Sequence, residues 1–184
     1  MAARRKPRPL TQARLFRYAD WYLERWASTE KSLSRALWRR SYKVMREHPE
    51  DQDVVGQWIT HIVQTVVERR LVNDEQYAKD VIRSHRRRGV SSRKTRSKLI
   101  VKGVESSLVD TLMADADPQQ ELRSACKYAR RRRLGPYRRN PTDHDGKQKE
   151  LAKLGRAGFG FDVARVVVDA DTEETLDELF DGGL

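Results

Sequence analysis

Apolar residues recur along the chain with the period of an α-helix rather than that of a strand. Leu15, Tyr18, Ala19, Tyr22, Leu23 and Trp26 fall three, one, three, one and three residues apart, which is one face of a helix. Thr11 is placed to cap it. Ser28 starts a second helix whose stripe is Leu33, Ala36, Leu37 and Val44. His48-Pro49-Glu50-Asp51 then interrupts the pattern, because proline disfavours helix in the residue before it. Next, Val54, Val55, Trp58, Ile59, Ile62, Val63, Val66 and Val67 keep an i, i+1, i+4, i+5 rhythm for four turns. β-Branched residues are weak helix formers, so this helix is predicted to be held by burial in a core.

The middle of the chain repeats the theme with clearer punctuation. Asn73 can cap a helix, with Gln76 three residues on at a capping-box spacing. Tyr77, Ala78, Val81 and Ile82 face inward. Arg86-Arg87-Arg88 fall in the last turn, at the negative end of the helix dipole, and Gly89 supplies the left-handed residue after it. Ser91 or Ser92 caps a helix that carries Thr95 and Leu99 and ends at Gly103. A short third helix holds Leu108, Val109, Leu112 and Met113. Asp117-Pro118-Gln119-Gln120 restarts the cycle with an N-cap, proline at the first helical position and glutamine at the third. The new helix buries Leu122, Ala125, Cys126 and Ala129.

Self-similarity accompanies the rhythm. Lys98-Leu99, Gly103-Val104 and Leu108 match Lys153-Leu154, Gly158-Phe159 and Val163 at a constant offset of 55, and Leu112 meets Val167. The predicted fold is all-α, three tandem three-helix repeats over residues 11–70, 71–116 and 117–168. Such units gain stability by stacking, which predicts an elongated, curved body. A basic flexible arm, residues 1–10, precedes them, and an acidic tail, residues 169–184, follows.

Composition sharpens this. The chain has 184 residues, 38% apolar and 35% charged, with a formal net charge of +11. The tail carries seven acidic residues and no basic one, which leaves residues 1–168 at +18. No apolar run approaches the ~18–20 residues of a membrane span. The basic N-terminus lacks the apolar stretch of a secretory signal. Cys126 is the sole cysteine, so neither a disulfide framework nor a cysteine-based zinc finger can form. A cytoplasmic protein with no membrane association is predicted. A body so cationic points to polyanionic partners.

Residues suited to catalysis are sparse. His48, His61, His85 and His144 lack metal-ligand spacing. Asp143-His144-Asp145-Gly146 faintly resembles a calcium loop, but Leu154 stands where the bidentate glutamate belongs. Gly155, Gly158 and Gly160 follow no strand and form no phosphate loop. Cys126 lies on an apolar face and reads as core. No enzyme, cofactor or metal is expected. The cations are concentrated instead. Arg83, Arg86, Arg87, Arg88, Arg93, Lys94, Arg96, Lys98 and Lys102 form one run without an acid. Lys127, Arg130, Arg131, Arg132, Arg133, Arg138 and Arg139 form another. Interleaved with the apolar stripe, they are predicted to face solvent. Arginine's planar fork suits bidentate contact with phosphates or carboxylates. Tyr128 and Tyr137 can either stack on bases or pack.

The stretch Leu71-Val72-Asn73-Asp74-Glu75-Gln76-Tyr77-Ala78, with Ile82-Arg83-Ser84, the basic run to Gly89, Arg96-Ser97-Lys98-Leu99 and Lys102-Gly103-Val104, resembles the RecX family of bacterial RecA regulators. Asp74, Tyr77, Ala78, Leu99, Lys102, Gly103 and Val104 stand at the family's motif positions. The likeness is strong from Leu71 to Leu112, moderate from Pro118 to Val168 and weak from Arg14 to Arg70. The His48–Asp53 insertion, the Asn140–Gly146 loop and the acidic tail depart from the family pattern. The resemblance implies three tandem three-helix repeats. It also implies binding along the groove of a RecA–single-stranded-DNA filament, restraining its growth, ATP hydrolysis and strand exchange in recombinational repair, without catalysis. The partners expected are the RecA filament and, more weakly or through the filament, single-stranded DNA, contacted by a monomer.

Two rival classes remain on the residues alone. An independent single-stranded nucleic-acid-binding module would share the cationic body, and would bind without recombinase. A nuclease would need clustered carboxylates for metal. The tail also admits two readings: solvated disorder, or an anionic segment with Leu176, Leu179 and Phe180 folded back on the cationic body.

Overall fold

A computed structural model describes residues 8–114 and 118–181. Among them there are ten α-helices and no strand. α1 (Gln12–Leu23), α2 (Glu30–Met45) and α3 (Gln52–Glu68) make a first triplet. α4 (Asp74–Arg88), α5 (Ser92–Lys102) and α6 (Ser106–Ala114) make a second. α7 (Pro118–Arg132), α8 (His144–Arg156) and α9 (Phe161–Asp169) make a third, with a single 3-10 turn at Gly135–Tyr137, and α10 (Glu173–Asp181) ends the described chain.

The chain divides into two compact units. In the first, residues 8–77 with 102–104, α1, α2 and α3 close over Leu15, Ala19, Leu33, Leu37, Ile59 and Ile62. The β-branched stripe of α3 is buried at Val55, Ile59, Ile62 and Val66, so its packing overrides its weak intrinsic propensity. In the second unit, residues 78–101 and 105–181, α7, α8, α9 and α10 enclose Ala125, Ala129, Leu134, Leu154, Val167 and Leu176.

The same polar junction occurs once in each unit. The hydroxyl of Thr29, cap of α2, donates to the carbonyl of Lys102, and the hydroxyl of Ser91, cap of α5, donates to the carbonyl of Ala157, 2.7 Å away. A glycine closely follows each accepting carbonyl. Gly103 and Gly158 have φ of +98° and +93°, and a Cβ on Gly103 would run into the Lys31 side chain, on Gly158 into the Ser91 hydroxyl. Only glycine takes that backbone at so close an approach. A carboxylate from the next triplet completes each junction. Asp74 Oδ1 accepts from the Glu30 amide at 2.9 Å, and Glu121 accepts from the Ser92 amide at 3.0 Å and the Ser92 hydroxyl at 2.6 Å. Of the family-motif positions, Asp74 and Gly103 lie in the first junction, and Leu99 is fully buried. Burial, and then the neighbouring Asp74, push the Glu30 carboxyl up. Burial also pushes Asp74 up.

Three details depart from the sequence reading. The cap of α2 is Thr29, which accepts from the Ser32 amide, whereas the Ser28 hydroxyl donates to the Thr29 carbonyl. Trp26 lies beyond the end of α1 and is 48% exposed. The solvated-tail alternative fails for α10, whose Leu176 is fully buried. Asp117, residues 1–7 of the arm, and the Leu179 and Phe180 side chains lie outside what is described.

Candidate functional site

Apart from Lys102, which belongs to the first unit, the two basic runs occupy the second unit. Arg86, Arg87 and Arg88 fill the last turn of α4, and Arg130, Arg131 and Arg132 that of α7. Each set is favourable there against the negative helix end. Arg83, Arg87, Arg88, Lys127, Arg130, Arg131, Arg132, Arg133 and Arg139 are exposed, as are Arg93, Lys94, Arg96, Lys98 and Lys102 on α5.

The fold brings part of the two runs together. An open groove of about 480 Å³ is lined by Arg83, Arg86 and Arg87 of α4, Leu112 of α6, and Gln120 and Lys127 of α7, with Lys79 and Ile82 completing the wall. None of the described residues lining it is a carboxylate. Arg83 has Asp80 beside it at 3.9 Å, a long ion pair between exposed groups. Arg131 of α7 reaches the end of α4, its Nη1 donating to the Arg88 carbonyl at 2.7 Å. The α4 and α7 helices approach closely: a Cβ on Gly89 (φ +64°) would stand 2.6 Å from the Lys127 Cβ. Counting runs of charge passes over Lys79, although Lys79, Arg83, Arg86 and Arg87 carry a helical i, i+4, i+7, i+8 spacing that places them on one face.

Other cations of the runs have local duties. Arg96 makes a fork with Asp110 at 2.9 and 3.1 Å. Lys98 donates to the ring of His85 at 3.2 Å. Arg138 is a correction to the solvent-facing reading, because its guanidinium turns inward. Its Nη2 donates to Glu150 at 2.8 Å and to the Val168 carbonyl at 3.1 Å, and Glu150 also accepts from the Gly135 amide at 2.9 Å. This pair ties the turn after α7 to α8 and α9.

The tyrosines pack. Tyr128 lies against Phe159, ring centres 5.7 Å apart, with the Arg131 and Arg132 guanidinium groups over it. Tyr137 is half-buried, its hydroxyl pushed up to about 12 by burial, then by Cys126, Glu173 and Asp177, against the pull of Arg130. Cys126 is buried, and burial, aided by Asp177, pushes its thiol up to about 11, so it is a poor nucleophile. Asp143 caps α8, its Oδ1 accepting from the Gly146 amide at 2.8 Å. Among the described residues no group of three or more His, Cys, Asp and Glu is placed to hold a metal. None of the helices there is long and apolar enough to cross a membrane.

Three-helix modules with a repeated polar junction define a helical-repeat protein, and some of its cations line one groove. Residues 73–113 match the RecX second three-helix domain. The chain is 35% identical to the regulatory protein RecX of Myxococcus xanthus (strain DK1622), over 91% of this chain and 90% of that one. It is 31% identical to the regulatory protein RecX of Agrobacterium fabrum (strain C58), over 90% and 88%. The crystal structure of RecX from Lactobacillus salivarius superposes with a TM-score of 0.64, at 17% identity, over 90% of this chain and 96% of that one. The chain belongs to the RecX family of regulatory proteins.

Proposed function

We propose that this protein regulates a RecA-type recombinase by binding the RecA–single-stranded-DNA filament, with the groove between α4 and α7 as its principal anionic contact, and that it is not an enzyme. The observation that carries this reading is the groove itself. Five cations line it, Lys79, Arg83, Arg86 and Arg87 of α4 and Lys127 of α7, with no carboxylate among the described lining residues. Such an array is self-repulsive until an anion enters, and a phosphate or an acidic side chain satisfies several guanidinium forks at once. Arg88, Arg93, Lys94, Arg130, Arg132, Arg133 and Arg139, exposed elsewhere on the second unit, are assigned weaker contacts. A ligand that binds one filament state more tightly than the other shifts the filament toward that state, and touching several protomers multiplies modest affinities. Restraint of filament growth and of ATP turnover follows from such a bias without chemistry by the regulator.

The test replaces Arg83, Arg86 and Arg87 by Ala in the full chain. Binding to recombinase–DNA filaments should weaken, and inhibition of filament ATP hydrolysis should fall with it. On bare single strands the log–log salt slope should drop by roughly 0.7 for each phosphate no longer neutralised. Unchanged inhibition by the variant would reject the groove. Tight binding to bare strands with no effect on the filament would favour an independent nucleic-acid module.

A further inference from the structure

We infer that the first unit carries a second nucleic-acid site, a stacking platform on α1 that takes unpaired bases of a single strand beside a pocket for its phosphates. Four aromatic rings lie in continuous contact there. Tyr18 stacks on Trp21 at 5.5 Å and 26°, Trp21 meets Trp26 edge-on at 5.4 Å, and Trp26 meets Tyr22 at 5.1 Å. The first three ring positions follow from i, i+3, i+4 spacing on one helix. The fourth follows from one more α-type turn beyond the helix, with the Trp26 amide donating to the Tyr22 carbonyl at 3.0 Å. Tyr18 and Tyr22 are half-buried against the core of this unit, but the two indoles stand outside it. Trp21 is 42% and Trp26 48% exposed, and this much indole left in water is a liability unless something covers it.

The neighbouring charge says what covers it. The Arg25 guanidinium lies 4.7 Å over the Trp21 ring, anchored by donation to the Trp21 carbonyl at 2.9 Å. At the other end, Arg40 of α2 lies 5.5 Å over Tyr18. Tyr18 is also one wall of a pocket of about 280 Å³ that it shares with Arg8, Arg14 and Arg40, and none of the described residues lining that pocket is a carboxylate. Cationic pocket and ring stack are therefore continuous through Tyr18. Residues 8–46 carry ten basic and three acidic side chains, so the surface rejects basic partners and attracts polyanions. An acidic protein would be served by the arginines alone, whereas two contiguous exposed indoles with the Arg25 and Arg40 guanidinium groups beside the ring cluster offer both a face for a base and a contact for a phosphate of a single strand. A duplex hides its base faces and gains nothing from the rings. This inference needs no recombinase, so it stands or falls separately from the groove between α4 and α7.

The experiment uses the full-length protein without recombinase. Fluorescence anisotropy measures binding to a labelled oligothymidylate, to an abasic strand of the same length and charge, and to a duplex. The wild type should bind oligothymidylate clearly tighter than the abasic strand. The variant with Trp21→Ala and Trp26→Ala should lose about tenfold on oligothymidylate and little on the abasic strand. Arg83→Ala with Arg86→Ala and Arg87→Ala should lose affinity equally for both strands. Trp26→Ala alone, beyond the helix end, repeats the test should the double variant melt early. Trp26→Phe, which keeps a stacking face, should restore most of the affinity. Equal wild-type affinity for the two strands, or tryptophan variants that bind oligothymidylate like the wild type, would overturn the platform. Variants that keep strand binding yet lose filament inhibition would assign the rings to a protein partner, and would equally overturn it.

Discussion

His85 stands in the midst of a cationic run, yet it is only 6% exposed. Lys98 has only protons to give, so at 3.2 Å it donates to Nε2, and Nδ1–H donates to the Thr95 hydroxyl at 2.9 Å. Thr95 in turn donates to the Ser91 carbonyl at 2.9 Å, inside the junction. A second proton on the ring would have no acceptor and would face an ammonium. Burial, then Lys98 and Arg88, accordingly hold the His85 pKa below its ordinary value of 6.5. The sign of the consequence is fixed by linkage. As pH falls below 6.5 the unfolded chain takes up a proton that the folded chain resists, so stability declines until the folded ring also protonates, and it is flat with respect to this group above 6.5. Melting temperature should therefore drop between pH 7 and pH 5. Gln at this position can make both hydrogen bonds without titrating, so His85→Gln should flatten most of that drop. An equally steep decline in the variant would assign the acid sensitivity to other groups.

The turn after α7 shows how an element's end decides what its charges do. Arg133 ends the helix in the left-handed region, φ 57°, although no glycine marks the spot, and Leu134 follows it into the core. The chain then carries Arg138 inward to Glu150 and the Val168 carbonyl. Arg138→Ala would strand a buried carboxylate, at a cost of about 3 kcal/mol in urea unfolding, whereas exposed Arg130→Ala should stay within about 0.5 kcal/mol. Equal, small losses would show that Arg138 is surface after all. Helical periodicity makes the helices and most of the core legible, because Leu33, Leu37, Ile59 and Ile62 repeat with the helix. It cannot place Arg138, whose direction depends on a turn rather than a period. Nor can it place Trp26, apolar like its helix neighbours but past the helix end. The groove is half legible: two runs are visible as charge, but their meeting at Arg83, Arg87 and Lys127 is tertiary. Periodicity assigns Tyr18, Tyr22 and Trp26 to a core stripe and leaves Trp21 off it, so the contact between the two exposed indoles is not legible in the pattern.

The cationic body and the acidic C-terminal helix meet in the second unit, and this sets the electrostatics of any polyanion contact. Leu176 of α10 is fully buried with Ala125, Ala129 and Leu154, while Glu173 and Asp177 lie near enough to Tyr137 to push its hydroxyl up against the opposing effect of Arg130. The acids of α10 are thus held beside the end of α7 by apolar packing, not by charge alone. Truncation after Val168 would remove both, and uncovering the site of Leu176 would cost stability on the order of a Leu→Ala change in a core, about 2–5 kcal/mol. A cleaner variant keeps Leu176 and neutralises Glu173→Gln, Glu174→Gln and Asp177→Asn, all exposed positions. Folding should persist. Affinity for single strands and for filaments should rise several-fold at low salt, since three negative charges no longer oppose the incoming phosphates. The gain should shrink as the screening length falls toward ~8 Å at physiological salt and below it beyond. Leu176→Ser with every charge retained is the complementary variant: it should loosen α10 and raise affinity only as far as the acids move away from α7. If neutralising the acids leaves low-salt binding unchanged, the phosphates are held out of reach of α10, and the groove between α4 and α7, lined by Arg83, Arg86, Arg87 and Lys127, acts without interference from the C-terminal helix.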